Sequence, residues 1–212
     1  MIWLPMFLLN VIVMIICYLT NPIVVLFCNE EGELPGFLNL WQTWDDSCNP
    51  EFFVLEKVPK FLRYDYKKHY EEYESTTPKL AKYGRTRWFA RVIDGNFTLK
   101  ERIQRYICRV LWLTRNCAYG FAFYWFSKEA NKETSVTYKK YIHGEKYFIA
   151  GWDKSQPLWK RTWWIKCNWH WNKRFYSECY LGWKINSNFP TDKQYSMIAN
   201  RLIPINIESN LY

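Results

Sequence analysis

Three residues near the middle of the chain have the types and the spacing of a metal site. Asp65, His69 and Glu72 are separated by four and three positions, so on a helix they would share one face, and carboxylate and imidazole groups are common metal ligands. They belong, however, to the charge-rich stretch "YDYKKHYEEYE", and such stretches ordinarily form a solvated face. We therefore expect no metal site and no cofactor.

The sequence contains none of the common motifs of covalent or hydrolytic catalysis. There is no G-x-S-x-G nucleophile elbow, no P-loop and no H-E-x-x-H zinc motif. The nearest cysteine pairs, Cys108 with Cys117 and Cys167 with Cys179, lack the C-x-x-C spacing of zinc and redox sites. The sequence therefore indicates no catalytic residue. A non-enzymatic role is the preferred interpretation, with an enzyme as the alternative.

The best candidate for ligand binding is a Trp-rich stretch near the C-terminus, "RTWWIKCNWHWNKRFYSECYLGWKI". Its side chains alternate with the period of two that is typical of strands. One face is mainly apolar, and the other mixes aromatic rings with polar groups that can stack on sugars or bases and bond to their edges. The residues of this second face, the candidate binding face, are Trp164, Lys166, Asn168, His170, Tyr176, Glu178 and Tyr180. The alternatives are a sheet packed on both sides or one that lies against a membrane interface.

The same stretch predicts a hairpin with a defined register. A three-residue loop at positions 172–174 pairs Cys167 with Cys179 and Ile165 with Leu181, so that apolar residues face each other. A two-residue loop would place these apolar residues opposite polar ones. Because register follows the buried face, the three-residue loop is predicted.

A second candidate site is a row of arginines on a predicted helix. Thr98 and Glu101 have the spacing of a capping box, in which each side chain bonds to a backbone amide at the start of a helix. In the helix that follows, one stripe is apolar and another is basic. The apolar stripe consists of Leu99, Ile103, Ile107, Val110 and Leu111. The arginines are Arg102, Arg105 and Arg109, followed by Arg115 in an aromatic run.

We expect these four arginines to contact anionic lipid headgroups, with the aromatic run 111–126 lying along the membrane interface. The alternative is that the apolar stripe faces the domain's own core and that the arginines are simply solvated.

An uncharged N-terminal run explains why a membrane enters the interpretation. Residues 3–28 contain no charged side chain, whereas a secretory signal has a basic start, a shorter apolar core and a small-residue cleavage site. About 20 apolar residues span a bilayer, so the run predicts an uncleaved transmembrane helix, kinked near Asn21-Pro22. Five cysteines outside it, without a framework spacing, favour a reducing compartment and hence a cytoplasmic body.

The elements around these sites predict an α+β protein in four parts. They are a membrane anchor at 1–28, an acidic irregular segment at 29–60, a basic amphipathic helical region at 61–130 and a Trp-rich antiparallel sheet at 131–212. Strands expected at 135–142, 145–152 and 195–207, together with the hairpin, make a meander of about five strands.

Charge is distributed unevenly along the chain. The 212 residues carry a net charge of +9, and residues 30–56 hold seven acidic residues and no Lys or Arg. The remainder from Lys57 onward has a net charge of +16. A body of this charge suits an anionic partner, either phospholipid headgroups or, as an alternative, nucleic acid.

The apolar start ending in "NPIVVLFCNEEGELPGFLNLWQTWDDS", with "YGRTRWFARV" and "LWLTRNCAYGFAFYWF", resembles an uncharacterised group of tailed-bacteriophage and prophage proteins. The resemblance covers roughly residues 1–130 and implies a bacterial host and its inner membrane. It implies no activity, catalytic residue or ligand. The predicted function is a membrane-anchored phage accessory protein that binds at the host inner membrane, for exclusion, lysis modulation or interference with a host envelope protein. The alternatives are an enzyme acting on lipid or cell-wall precursors and a membrane-tethered nucleic-acid binder.

Overall fold

The computed structural model describes most of the chain as mixed helix and strand with an apolar N-terminal helix. Two compact units are present, one formed by Ile15–Gly120 and the other by Met1–Met14 with Phe121–Tyr212. The division into four parts stays a prediction. The described residues are 3–43, 47–49, 58–76, 87–125, 128–131, 135–142, 146–153, 163–171, 175–185, 193–198 and 201–207.

Helix α1 spans Trp3–Val24 and continues into a 3₁₀ turn at Val25–Phe27. The stretch Pro5–Phe27 is long and apolar enough to cross a membrane, a test that a signal sequence or a buried core helix can also pass. Pro22 lies within the last turn of α1, so the helix continues past the predicted kink position for only two residues.

The middle of the chain contains strands that the sequence did not predict. After 3₁₀ turns at Gly36–Leu40 and Lys60–Leu62, a single helical turn, α2 (Tyr66–His69), leads directly into β1 (Tyr70–Ser75). Strand β1 pairs antiparallel with β2 (Arg87–Val92). The prediction of a helical region over 61–130 is therefore wrong here. The residue pattern of "YEEYES" is compatible with a strand as well as with a helix, and pairing with β2 favours the strand.

The remainder of the middle region is helical, as predicted. Helix α3 spans Leu99–Arg115, and α4 spans Tyr119–Trp125. The capping box at the start of α3 is confirmed: Glu101 N–H donates to Thr98 Oγ1 over 3.3 Å, and Thr98 N–H donates to Glu101 Oε2 over 2.8 Å.

The described residues of the unit formed by Ile15–Gly120 include two apolar clusters. The first joins the end of α1 to α3 through Val24, Val25 and Leu113, with Leu34 and Cys48 from the intervening loop. The second surrounds α2 and the start of β1. Its buried members are Tyr64, Tyr66, Tyr70, Ala90, Phe97 and Cys108.

The Trp-rich region forms a sheet whose order differs from the prediction. Strands β4 (Ser135–Ile142), β5 (Lys146–Asp153), β6 (Trp163–His170) and β7 (Phe175–Ile185) pair consecutively and antiparallel. Strand β8 (Lys193–Ile198) pairs with the C-terminal part of β7 and with β3 (Lys128–Asn131). Strand β9 (Arg201–Ile207) pairs with the N-terminal part of β7.

The expected five-strand meander is therefore wrong. Within the described residues the sheet has seven strands, because the segment expected as one strand at 195–207 forms two that both pair with β7, and because β3 was not expected. The hairpin register itself is as predicted, with Cys167 opposite Cys179 and Ile165 opposite Leu181. The loop residues 172–174 lie outside the described part of the chain.

Candidate functional site at the junction of anchor and body

The backbone carbonyl of Glu30 is the centre of a buried polar network just beyond α1. It accepts hydrogen bonds from Arg109 Nη2 at 2.8 Å, Tyr70 Oη at 2.9 Å and Asn49 Nδ2 at 3.4 Å. These donors come from α3, from β1 and from the loop that follows the anchor. One carbonyl therefore joins three distant parts of the sequence.

Arg109 is the charged member of these three donors. Its side chain is buried, and Arg109 Nε donates to Asn49 Oδ1 at 2.7 Å. Asn49 is buried as well, and both the nitrogen and the oxygen of its side-chain amide are hydrogen-bonded. Because a guanidinium carries five N–H donors in a rigid fork, it can hold two acceptors from different segments at once. Arg109 thus fixes the loop 28–49 against α3.

A second arginine extends the network along α3. Arg105 Nη1 donates to Tyr70 Oη at 3.0 Å, while its guanidinium carbon lies 4.0 Å above the centre of the Phe97 ring. Tyr70 Oη therefore accepts from Arg105 and donates to Glu30 O. Both arginines therefore help to order the loop through contacts inside the fold.

The loop after α1 is also closed by its own side chains. Gln42 is buried and bonds back to an earlier part of the loop, donating to Glu33 Oε2 at 3.0 Å and accepting from Leu34 N–H at 3.1 Å. Gly32 has φ +83°, and a Cβ there would lie 2.8 Å from the backbone nitrogen of Asn49. Only glycine fits this position, because the conformation and the contact both exclude a side chain.

Two thiols face each other beside the network. Cys48 is fully buried and donates a hydrogen bond to the sulfur of Cys28. That bond, with the positive charge of Arg109 as a smaller contribution, lowers the pKa of Cys28. Burial, and the same bond, raise the pKa of Cys48 well above its usual range. Cys28 is therefore the more readily deprotonated member of the pair.

The buried side of α1 is polar and is bonded to the body. Asn21 Nδ2 lies 3.4 Å from Thr114 Oγ1 and 4.0 Å from the sulfur of Cys117. Trp41 Nε1 donates to Thr20 Oγ1 at 2.8 Å, and Tyr106 Oη donates to the carbonyl of Pro22 at 2.9 Å. These contacts bind the second half of α1 to the loop and to α3.

The four predicted headgroup-binding arginines have different environments. Arg109 is buried, so its expected contact with lipid headgroups is wrong in this structure, because internal acceptors occupy its guanidinium. Arg105 is half-buried over Phe97, and Arg115 is half-buried with partners of its own. Only Arg102 is exposed, and it donates to the carbonyl of Phe97 at 3.3 Å. Membrane contact by Arg102 stays a prediction.

The apolar stripe of α3 faces outward rather than towards the core. Leu99, Ile103 and Leu111 are exposed, and Ile107 and Val110 are only partly covered. The buried positions of the helix are Gln104, Cys108, Arg109 and Leu113. The alternative in which this stripe packs against the domain's own core is therefore wrong as well. The helix buries its mixed polar face and presents its apolar stripe.

The three residues of the metal hypothesis do not share a helix face. Helix α2 ends at His69, Asp65 caps its start by accepting from Lys68 N–H, and Glu72 is exposed on β1. His69 is completely buried and stacks on Phe97, with ring centres 4.0 Å apart.

His69 instead forms a pair with a carboxylate that the sequence did not suggest. Its Nε2 lies 3.3 Å from Glu101 Oε1, and its Nδ1 lies 2.8 Å from the carbonyl of Asp94. Both neighbours are acceptors, whereas a neutral ring can donate to only one. Since His69 has no exposed surface, we infer that the pair stabilises the turn before α3 and does not act as an accessible catalytic centre.

The candidate binding face can be located by its backbone positions alone. Pairing of β6 with β7 places Trp164, Lys166, Asn168 and His170 opposite Gly182, Tyr180, Glu178 and Tyr176, so these residues share one face of the sheet. Their side chains, apart from Gly182, lie outside the described part of the structure. On the opposite face, Ile165, Cys167, Cys179 and Leu181 are half-buried and Trp169 is exposed. Ligand binding on the second face stays a prediction.

Sequence patterns did not predict the junction network. Its central acceptor is a backbone carbonyl, and its donors are about 20, 40 and 80 positions away from it in the chain. One signal was present: Arg109 lies four residues from Leu113 in the otherwise apolar part of α3, where an unpaired charge would be costly.

The chain belongs to DUF7338, a family of unknown function, whose family model matches residues 1–210. No curated protein and no solved structure matches the chain.

Proposed function

We propose that this DUF7338 protein is a single-pass membrane protein that acts by binding at the inner membrane of a bacterial host. In this proposal it is a phage accessory factor that excludes other phages, modulates lysis or interferes with a host envelope protein. The phage origin rests on the resemblance of residues 1–130. The membrane placement rests on the structure of α1.

The supporting observation is the division of α1 into two faces. Its exposed side is made of large apolar side chains, whereas Asn10, Cys17 and Asn21 lie buried on the other side. Water would favour the reverse arrangement, because exposed apolar area is unfavourable and buried amides need partners. The observed arrangement is favourable when the exposed apolar side of the helix contacts lipid. The exposed apolar residues of the helix are Leu8, Leu9, Ile12, Ile15, Ile16, Leu19 and Ile23.

The contacts of α1 also argue against a cleaved signal peptide. Cleavage would remove Thr20, Asn21 and Pro22, which bond to Trp41, Thr114 and Tyr106 of the body. It would also uncover Cys117 and the apolar cluster at the end of the helix. A segment that supplies part of the core is needed in the mature protein.

A cytoplasmic body is the proposed orientation. All seven cysteines are free thiols, including the facing pair Cys28 and Cys48 and the cross-strand pair Cys167 and Cys179. Free cysteines that face each other fit a reducing compartment.

The two alternatives have weaker support. An enzyme acting on lipid or cell-wall precursors needs an accessible acid, base or nucleophile, and the histidine of the His69–Glu101 pair has no exposed surface. A nucleic-acid binder would use the +16 body, but Arg109 and Arg105 on α3 are engaged internally. Strong salt dependence of DNA binding by the detergent-solubilised protein would favour that alternative.

Expression of the full chain in bacteria tests the proposal. We expect the protein to stay in the membrane pellet after alkaline carbonate extraction and to show its full-length mass. A protease added to inside-out vesicles should digest the body, whereas in spheroplasts the body should be protected. A mass shortened by about 20–30 residues, or release by carbonate, would contradict the anchor; digestion in spheroplasts would reverse the orientation.

A further inference from the structure

In the unit formed by Ile15–Gly120, several polar side chains are buried and several large apolar ones are exposed beyond α1 as well. Gln42, Thr43, Ser47 and Asn116 are buried, whereas Phe37 is among the most exposed side chains of the unit. A buried polar group or an exposed large apolar group is informative, since soluble proteins arrange both the other way. The loop after α1 and the end of α3 therefore share the character of α1 itself.

The contacts of α1 show how far along its axis these segments lie. Trp41 bonds to Thr20, which precedes Phe27, the end of the apolar span, by seven residues. At 1.5 Å per residue this is about 10 Å from the end of the span. The turn Gly36–Leu40 leads directly into Trp41, so it lies at a similar level.

Helix α3 runs alongside α1 towards the middle of the span. Val110 packs in the cluster at Val24 and Val25, and Thr114 reaches Asn21. Cys117 is hydrogen-bonded to Cys17, ten residues from Phe27. That distance is about 15 Å, half the thickness of a hydrocarbon core of about 30 Å.

We propose that the Gly36–Trp41 turn and the C-terminal end of α3, through Gly120, lie inside the bilayer and contact phospholipid acyl chains. This inference rests on the proposed membrane span of α1 and deepens it. The exposed apolar side chains at this level, Phe37 and Leu111, then continue the lipid-facing surface of α1. The two segments then form a re-entrant collar around the second half of α1.

The backbone of both segments meets the requirement that lipid imposes. Polar backbone groups within a bilayer must be satisfied by the protein. In the turn, Leu38 N–H donates to Pro35 O and Trp41 N–H to Leu38 O, and the Asn39 side chain donates to Leu34 O. After α3, Asn116 N–H donates to Trp112 O and Tyr119 N–H to Asn116 O.

Close backbone packing holds the two segments together. A Cβ on Gly120 would overlap the carbonyl oxygen of Leu40 and lie 2.7 Å from that of Gln42. Small residues at such contacts are characteristic of packing inside membranes, where backbones approach closely.

Arg115 is the one charge in this part of α3, and it is half-buried with partners. Side chains on a helix leave the backbone towards its N-terminus, which for α3 is the side from which it enters the bilayer. An arginine there can extend its head group towards water while its stem remains in lipid.

Three side chains with matched exposure allow a sharp test. Leu19 on α1 and Phe37 in the turn are each 74% exposed, and Phe61 is 73% exposed. Phe61 lies on the turn Lys60–Leu62, whose carbonyls bond to Gln104 and Cys108, nearer the outer end of α3. Each of the three would be replaced in the full chain by the photo-crosslinking residue p-benzoylphenylalanine and irradiated in phosphatidylethanolamine–phosphatidylglycerol vesicles. Acyl-chain adducts would be counted by mass spectrometry.

We expect adducts at Leu19 and Phe37 in similar yield and at least tenfold fewer at Phe61. Adducts at Leu19 without adducts at Phe37 would overturn the embedded turn while leaving the anchor intact. Absence of adducts at both positions would overturn the membrane span and with it the proposed function. Equal yields at all three positions would overturn the depth assignment.

Discussion

Arg109 Nε lies 2.7 Å from Asn49 Oδ1, and this contact joins α3 to the loop that leaves the anchor helix. The same guanidinium reaches the carbonyl of Glu30 at 2.8 Å. A basic side chain that the sequence predicts in contact with lipid headgroups, with a solvated stripe as the alternative, thus connects two segments inside the fold.

Arg109→Gln should destabilise the protein strongly. It removes two charge-assisted bonds and leaves buried acceptors on Asn49 and Glu30 with fewer donors, which costs on the order of 3 kcal/mol. The melting temperature in detergent should fall by roughly 6–12 °C. Arg102→Gln is the matched control on the same helix, because Arg102 is exposed, and it should change stability by less than about 0.5 kcal/mol. Equal melting temperatures for the two variants would contradict the buried role of Arg109.

Gly120→Ala should disrupt the packing of α4 on the loop. The added methyl would overlap the carbonyl of Leu40, which is backbone and cannot rotate away, at a cost of about 1–3 kcal/mol. At Gly95 the nearest neighbour of a Cβ is the flexible Glu30 carboxylate at 3.8 Å, so Gly95→Ala is the control. Chemical unfolding in detergent compares the two. A Gly120→Ala variant as stable as the control would mean that the two segments are not in contact.

The capping box should make stability fall in acid. The hydrogen bond from the Thr98 hydroxyl, with the backbone bond at Thr98 and the contact with His69, lowers the pKa of Glu101 to about 2. An ionised Glu101 therefore stabilises the folded state fully above its unfolded pKa of about 4.5, and this contribution is lost as the pH falls towards 2.

Glu101→Gln should flatten the pH dependence of the melting temperature between pH 4.5 and 2. Glu72→Gln, at an exposed position on β1, is the control and should leave the slope unchanged. An unaltered slope in Glu101→Gln would show that the carboxylate does not bond to Thr98 in solution.

Oxidation should join Cys167 to Cys179. The two residues are direct partners across β6 and β7, and antiparallel partners have Cβ separations compatible with a disulfide. Treatment of the full chain with copper–phenanthroline and oxygen, followed by proteolysis, should release one peptide pair that is 2 Da lighter than the sum of the two thiol peptides. Cys167→Ser should abolish it. Cross-linking of Cys179 to another cysteine instead would refute the register.

Local sequence signals predicted those parts of the fold that depend on local physics. The capping box at Thr98 and Glu101 and the pairing of Cys167 with Cys179 both follow from neighbouring residues, and both are present. The pairing of β1 with β2 was missed because "YEEYES" suits a helix or a strand, and its partner lies some 17 positions away. Long-range pairing decided the outcome there.

Local sequence patterns could not predict the candidate site, for a related reason. The apolar stripe of α3 was identified correctly as a stripe, but amphipathicity alone does not say which face is buried. In water the apolar face would turn inward. Beside an apolar helix such as α1, the polar face can turn inward and bond, as Arg109 and Gln104 do.

This orientation of α3 leads to a last prediction, based on two leucines of the same helix. Leu113 is 0% exposed in the cluster beside α1, whereas Leu99 is 76% exposed on the apolar stripe. Leu113→Ala creates a cavity and should cost about 2–5 kcal/mol, while Leu99→Ala should change stability by less than about 0.5 kcal/mol. Thermal unfolding of both variants in the same detergent measures the difference. If the stripe faced the core instead, Leu99→Ala would be the more damaging substitution, so the order of the two melting temperatures decides which face of α3 is buried.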